Sequence, residues 1–138
     1  MTNVARIGWW VLSVMVAGTL LSAQGTPSAT DAWVAVPAAG ATATDAYAVV
    51  ENPTMYEFFV VKVTADGAGA AEIVEGAPDS AKTVRELSVP SYGRTELKPG
   101  ALRIRLKDLK TPLKPGASVA LTLTTDGGVV IKVAAPVK

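Results

Sequence analysis

Short runs of β-branched and aromatic residues, separated by glycine- and proline-rich turns, restrict the fold of this chain more than any other feature. In SVALTLTT, residues 118–125, the side chains of Val119, Leu121 and Leu123 share one face, as the two-residue period of a strand requires. No segment after residue 23 sustains the 3.6-residue period of a helix. Similar runs lie at 32–36, 46–52, 57–64, 71–75, 83–89, 101–107 and 129–135. The pattern predicts an all-β sandwich or barrel of about eight or nine strands.

The first 23 residues have the order of a secretory signal peptide. Arg6 precedes an apolar run over residues 7–21, and the small residues Ser22 and Ala23 follow it. This run is shorter than the roughly 20 residues that a membrane-spanning helix needs. We therefore expect residues 1–23 to be cleaved, the protein to be periplasmic or secreted, and no stable membrane span to remain. A leader that is retained as an anchor is the alternative.

The rest of the chain is long enough for one domain with one core. Residues 24–31 are small and polar and are predicted to form a flexible lead-in. Residues 32–138 are predicted to form the β-sandwich domain.

The absence of histidine and cysteine excludes much chemistry. Without them the chain has no proton shuttle for neutral pH, no imidazole or thiolate ligand and no disulfide, and no cysteine follows the apolar run as it would in a bacterial lipoprotein. A Ser-x-x-Lys motif is also missing, so we expect no enzyme. The few aromatic residues are scattered, which argues against a nucleic-acid partner. Met55, the only methionine after residue 23, does not make a Cu(I) site alone.

The charges of the predicted mature chain are divided between its two parts. Residues 24–79 contain eight acidic residues and one basic residue, whereas residues 80–138 contain four acidic and eleven basic residues. Such an asymmetry can bind an outside partner, but in a compact domain it more often means that the two parts face each other. We favour the internal interpretation, in which the strands AEIVE (71–75) and ALRIRLK (101–107) come close.

Three cations alternate along ALRIRLK, and two lysines follow in the next loop. Because strand side chains alternate between faces, the three strand cations point one way and the leucine and isoleucine side chains point the other. The five residues are Arg103, Arg105, Lys107, Lys110 and Lys114.

Several turns and strand ends resemble a known family. They are AYAVVENPT (46–54), Val89-Pro90, ELKPG (96–100), LKTPLKPG (109–116) and GGVVIKVAAPV (127–137). At this spacing they are similar to the PCu(A)C copper chaperones, and the match spans most of residues 32–137. The resemblance implies a cupredoxin-like Greek-key β-sandwich, exported to the cell envelope, that carries Cu(I) and serves a partner protein in copper-oxidase assembly.

The residues that bind copper in that family are replaced in this chain. By position, the two family His-x-Met pairs fall at Val74 and Gly76 and at Arg103 and Arg105, and no methionine occurs at 81–84. The resemblance therefore implies copper as the cargo, whereas the residues predict a degenerate site with no metal and no other cofactor.

Three interpretations of the basic strand remain open. In the first, the strand is simply solvated. In the second, it forms a salt-bridge patch in the place of the metal, with Glu72 or Glu75 opposite the arginines. In the third, a patch centred on Arg103, Arg105 and Lys107 binds a protein or an anion. The last is the alternative to a degenerate chaperone, as a non-metal binding module.

We predict that the exported protein begins near Gln24, because the order of charge, apolar run and small residues sets cleavage after Ala23. Intact-mass spectrometry of the exported protein measures this directly. A mass that still includes residues 1–23 would contradict cleavage and favour a retained anchor.

Overall fold

The computed structural model describes residues 25–77 and 80–138. This part of the chain contains ten β-strands and no α-helix. The strands are β1 (Ser28–Val34), β2 (Thr44–Glu51), β3 (Phe58–Ala65), β4 (Ala68–Glu75), β5 (Lys82–Val84), β6 (Leu87–Val89), β7 (Arg94–Glu96), β8 (Arg103–Leu109), β9 (Ser118–Thr125) and β10 (Val130–Pro136). Within these ranges no helix is long and apolar enough to cross a membrane. The predicted all-β fold is confirmed, and the predicted signal peptide lies outside the described residues.

The strands form two sheets that pack as a sandwich. The large sheet has the order β1-β2-β8-β4-β5, with β7 paired to the other end of β2, and the small sheet has the order β10-β9-β3-β6. Consecutive strands repeatedly change sheet, as from β2 to β3 and from β8 to β9. This is the cupredoxin-like sandwich with crossing connections that the resemblance implies.

The core lies between the sheets and follows from the alternation in the sequence. Val119, Leu121 and Leu123 of β9 are all buried, as their shared face predicts. Ile104 and Leu106 of β8 meet them from the large sheet and are fully buried. Each such side chain stabilises the fold by about 1.5–3 kcal/mol, so the sandwich does not need disulfides.

The first strand begins inside the predicted lead-in. β1 starts at Ser28, which pairs with Glu51, so residues 28–31 belong to the large sheet. A bulge between Thr30 and Trp33 interrupts the pairing of β1, and Asp31 has a φ of 51°. The bulge breaks the two-residue alternation, which is why the sequence pattern hides this strand.

The predicted run at 83–89 is two strands in different sheets. Val84 of β5 pairs with β4, whereas Leu87 of β6 pairs with β3. The exposed residues Arg85 and Glu86 carry the chain from one sheet to the other. Together with β7, a three-residue strand that the sequence does not predict, this split raises the number of strands to ten.

The turn after β2 is fixed by a buried asparagine. Asn52 donates through Nδ2 to the carbonyls of Tyr56, at 2.8 Å, and Val89, at 3.2 Å. Its Oδ1 accepts hydrogen bonds from the amide and the hydroxyl of Thr54. This residue therefore ties the end of β2 to β6 with its polar atoms satisfied.

Candidate functional site

The positions that resemble the family's two ligand pairs lie side by side in the large sheet. β4 and β8 are antiparallel neighbours, and their register places Val74 opposite Arg103 and Glu72 opposite Arg105. The prediction that the strands AEIVE and ALRIRLK come close is confirmed. The main chain at Gly76 also reaches the site, because its carbonyl contacts the guanidinium of Arg103.

Arg103 is buried, which contradicts a fully solvated basic strand. The exposed fraction of the side chain rises along β8, from 2% at Arg103 to 27% at Arg105 and 46% at Lys107. All three alternate as the sequence predicts, but only Lys107 is exposed. The start of β8 differs because the segments at Gly76 and Ala101 lie against it.

The buried guanidinium of Arg103 has three identified partners. Its Nη1 donates to the carbonyls of Gly76 and Ala101, the latter at 3.1 Å, and its Nε lies 3.2 Å from Oδ2 of Asp45. Its Nη2 is buried without a hydrogen-bond partner among the described residues. Since arginine keeps its charge at ordinary pH, the carboxylate of Asp45 is what compensates that charge.

Asp45 of β2 is the carboxylate partner of both arginines, a residue that the sequence does not single out. Its Oδ1 lies 3.7 Å from Nε of Arg105, while its Oδ2 faces Arg103. Glu72 instead binds Lys107, with 2.7 Å between Oε1 and Nζ. Glu75 is exposed at the end of β4. The predicted salt bridges of the arginines with Glu72 or Glu75 are therefore replaced by a pair with Asp45.

The ion pairs of this face join the acidic part of the chain to the basic part. Three of the four pairs among the described residues do so: Asp45–Arg103, Asp45–Arg105 and Glu72–Lys107. The fourth, Arg94–Glu96, lies within the basic part, and both side chains are largely exposed. The charge asymmetry is thus partly neutralised inside the fold, as the internal interpretation expects.

Two aromatic residues, Trp33 on β1 and Tyr47 on β2, lie beside the ion pairs of Asp45. Tyr47 is 6% exposed, and its ring centroid lies 4.4 Å from that of Trp33. Burial raises the pKa of the Tyr47 hydroxyl above its usual value of 10.0; the charge of Asp45 raises this pKa further, and that of Arg103 opposes the shift. Below, "the Arg103 cluster" denotes Asp45, Tyr47, Arg103 and Arg105.

The side chains of this site do not fit Cu(I). Arginine offers only donor nitrogens, and its positive charge repels a cation, whereas Cu(I) prefers thiolate, thioether and imidazole ligands. No group of three or more histidine, cysteine, aspartate or glutamate side chains that could hold a metal occurs within residues 25–77 and 80–138. Met55 lies in the turn between β2 and β3 and is about half exposed.

A sequence model described as "Putative lipoprotein LpqE-like" matches residues 28–137. The chain belongs to this LpqE-like family. It is 33% identical over 112 residues to a protein of Leifsonia xyli subsp. xyli named "Putative lipoprotein Lxx21020". That match covers 78% of this chain and 66% of the relative. The family description names lipoproteins, whereas these 138 residues contain no cysteine that could carry a lipid.

Solved structures of PCu(A)C domains have the same fold as this LpqE-like protein. The copper-bound PCuAC domain from PmoF2 gives a TM-score of 0.70 at 18% identity, covering 80% of this chain and 90% of that one. The solution structure of CuI-DR1885 from Deinococcus radiodurans gives a TM-score of 0.69 at 29% identity, covering 86% and 83%. The resemblance to PCu(A)C copper chaperones is therefore confirmed.

We predict that Asp45→Asn destabilises the protein more than Arg103→Met does. Asp45→Asn leaves the buried Arg103 cation without its counter-charge and lowers the free energy of unfolding by about 3 kcal/mol. When Arg103 is replaced instead, Asp45 still pairs with Arg105, so the free energy of unfolding falls by only about 1–2 kcal/mol. The double variant should be more stable than Asp45→Asn alone. Urea unfolding of the three variants measures these free energies.

The exposed pair Arg94–Glu96 provides the matched control. Arg94→Met should change the free energy of unfolding by less than about 0.5 kcal/mol. Equal effects of Asp45→Asn and Arg94→Met would contradict a buried, compensated Arg103.

The raised pKa of Tyr47 predicts a loss of stability in alkali. Above about pH 10 the unfolded chain releases the tyrosine proton while the folded chain retains it, so the free energy of unfolding falls as pH rises toward the folded-state pKa. Urea unfolding at several alkaline pH values should therefore show a steeper fall for the native protein than for Tyr47→Phe. Parallel curves would show that Tyr47 has no shifted pKa.

Proposed function

We propose that this protein is an exported, non-enzymatic member of the LpqE-like family that resides in the cell envelope. It does not carry Cu(I) at the positions where PCu(A)C chaperones have their copper ligands. The observation that carries this proposal is Arg103, a buried cation paired with Asp45 where the resemblance places a copper ligand. A site that contains a permanent positive charge and its counter-ion has neither the ligands nor the electrostatic potential to accept a soft cation.

The envelope location rests on two observations. The first 23 residues have the composition of a signal peptide, and both the family and the Leifsonia xyli relative are described as lipoproteins. Two of the similar structures are those of a copper-bound domain and a Cu(I)-bound protein, which supports a role related to copper handling. We propose that it serves a protein partner in that setting, such as copper-oxidase assembly, without holding the metal.

The geometry argues against binding of a small anion at the basic strand. The cleft beside Arg105 and Lys107 is also lined by Asp45 and Asp108, so that its formal charges balance. Arg105 and Lys107 are moreover engaged by Asp45 and Glu72. An anion entering this cleft would meet as much repulsion as attraction.

We predict that the exported protein shows no stoichiometric Cu(I) binding tighter than roughly micromolar, equivalent to about 8 kcal/mol. Anaerobic titration against a colorimetric Cu(I) chelator measures this, with CuI-DR1885 as the positive control. Tight binding of one Cu(I) per chain would contradict the proposal, and Met55→Ala would then show whether its thioether is responsible.

A ligand-restoring variant tests whether the framework of the site is intact. Val74 has Arg103 as its partner on β8 and Thr83 as its partner on β5, so Val74→His, Thr83→Met and Arg103→His together bring three soft ligands into one row. Gly76 is left unchanged because its φ of 105° would strain a methionine. Cu(I) binding by the triple variant, but not by Val74→His alone, would support a degenerate copper site. Absence of binding in the triple variant would contradict the placement of Val74.

A further inference from the structure

One side of the sandwich is open beside β3 and β4. β5 and β6 cover only one end of their neighbours, since β5 pairs with Ile73–Glu75 and β6 pairs with Phe58–Val60. Beyond them lies an open cleft of about 530 Å³ between the edges of the two sheets. The segment Ala68–Glu72 of β4, here called the open edge of β4, pairs with β8 on one side and has no strand on the other among the described residues.

The backbone of the open edge is oriented to accept another strand. Lys110 donates to the carbonyl of Gly67 at 3.0 Å, which makes these two residues a hydrogen-bonded pair at the end of the β4–β8 ladder. Because antiparallel strands alternate the direction of their backbone groups, the amides of Ala68, Ala70 and Glu72 and the carbonyls of Ala68 and Ala70 point away from β8 and into the opening. The carbonyl of Glu72 faces the amide of Arg85 at the end of the β4–β5 pairing.

This edge lacks the features that normally prevent strand addition. Natural proteins protect such edges with lysine, proline or bulges, whereas the open edge reads AGAAE. Its small side chains leave space beside the backbone. The one charged side chain, Glu72, is already bound to Lys107.

The charges around the cleft indicate the chemistry of what binds there. Lys62 of β3 and Arg85, in the crossing between β5 and β6, both line the cleft and are exposed. Neither makes an ion pair within the described residues, while Glu72 is neutralised by Lys107. The cleft therefore has a net positive charge beside a free row of backbone hydrogen-bonding groups.

We propose that a protein partner adds an extended, acidic segment as a strand along the open edge of β4. Backbone hydrogen bonds to Ala68, Ala70 and Glu72 supply the pairing, and Lys62 and Arg85 select acidic side chains on the incoming strand. This site rests on the proposed function as a docking module, and it gives that module a surface and a class of partner. It is separate from the Arg103 cluster.

The probe is a blocked six-residue peptide of alternating valine and glutamate, added to the ¹⁵N-labelled exported protein. Amide resonances of Ala68, Ala70 and Glu72 should shift, and the matched peptide of alternating valine and lysine should bind at least about tenfold more weakly. Equal binding of the two peptides, shifts confined to other strands, or no shift at a roughly millimolar concentration of the acidic peptide would overturn the proposal.

Two variants separate backbone pairing from charge selection. Ala70→Pro removes an amide that faces the opening, so it should weaken peptide binding at least tenfold while the remaining spectrum keeps its folded dispersion. Lys62→Glu combined with Arg85→Glu should reverse the preference between the two peptides, whereas Lys132→Glu on β10 should not change it. Retained preference in the double charge reversal would overturn the assigned role of these cations.

A second copy of the chain is the competing occupant. Dimerisation in analytical ultracentrifugation without peptide, abolished by Ala70→Pro, would assign the edge to self-association and overturn the acidic partner. Tight Cu(I) binding would refute the proposed function independently of the peptide results, so the two failures are distinguishable.

Discussion

The contact between Arg103 and Asp45 is the interaction on which the outer face of the large sheet depends. A guanidinium that is 2% exposed requires a counter-charge, and Asp45 supplies it from the neighbouring strand while also facing Arg105. One carboxylate thus compensates two cations and couples β2 to β8 at the centre of the large sheet. Glu72 and Lys107 continue the same arrangement on the β4 side.

The fold and the chemistry of its outer face are specified by different residues. The sandwich has the fold of the solved PCuAC domain of PmoF2, and the LpqE-like family model matches residues 28–137. Within that fold an ion pair stands where a soft-metal site is expected. A fold can keep its core while its site changes, because the buried faces of the strands and their outer faces are filled by alternate residues.

How much of this could be predicted depends on which interactions are local. The strand SVALTLTT is predicted to the residue because its alternation is unbroken, whereas the start of β1 is hidden by a bulge near Asp31. The importance of Asp45 is not visible in the sequence, since it depends on the register of β2 with β8, two strands more than fifty residues apart. The burial of Arg103 likewise depends on the distant segment at Gly76. The charge asymmetry between the two parts of the chain is the one sequence signal that indicated internal pairing.

Arg103 is a buried, ion-paired residue in the position where the resemblance places a copper ligand. The ¹H–¹⁵N resonances of the arginine Nε–H groups, recorded before and after addition of Cu(I), test this placement most directly. The Arg103 resonance should be sharp, exchange slowly with water at neutral pH and stay unchanged by Cu(I), whereas the exposed Arg85 and Arg94 should exchange rapidly. Rapid exchange at Arg103, or a shift of its resonance on addition of Cu(I), would contradict the claim.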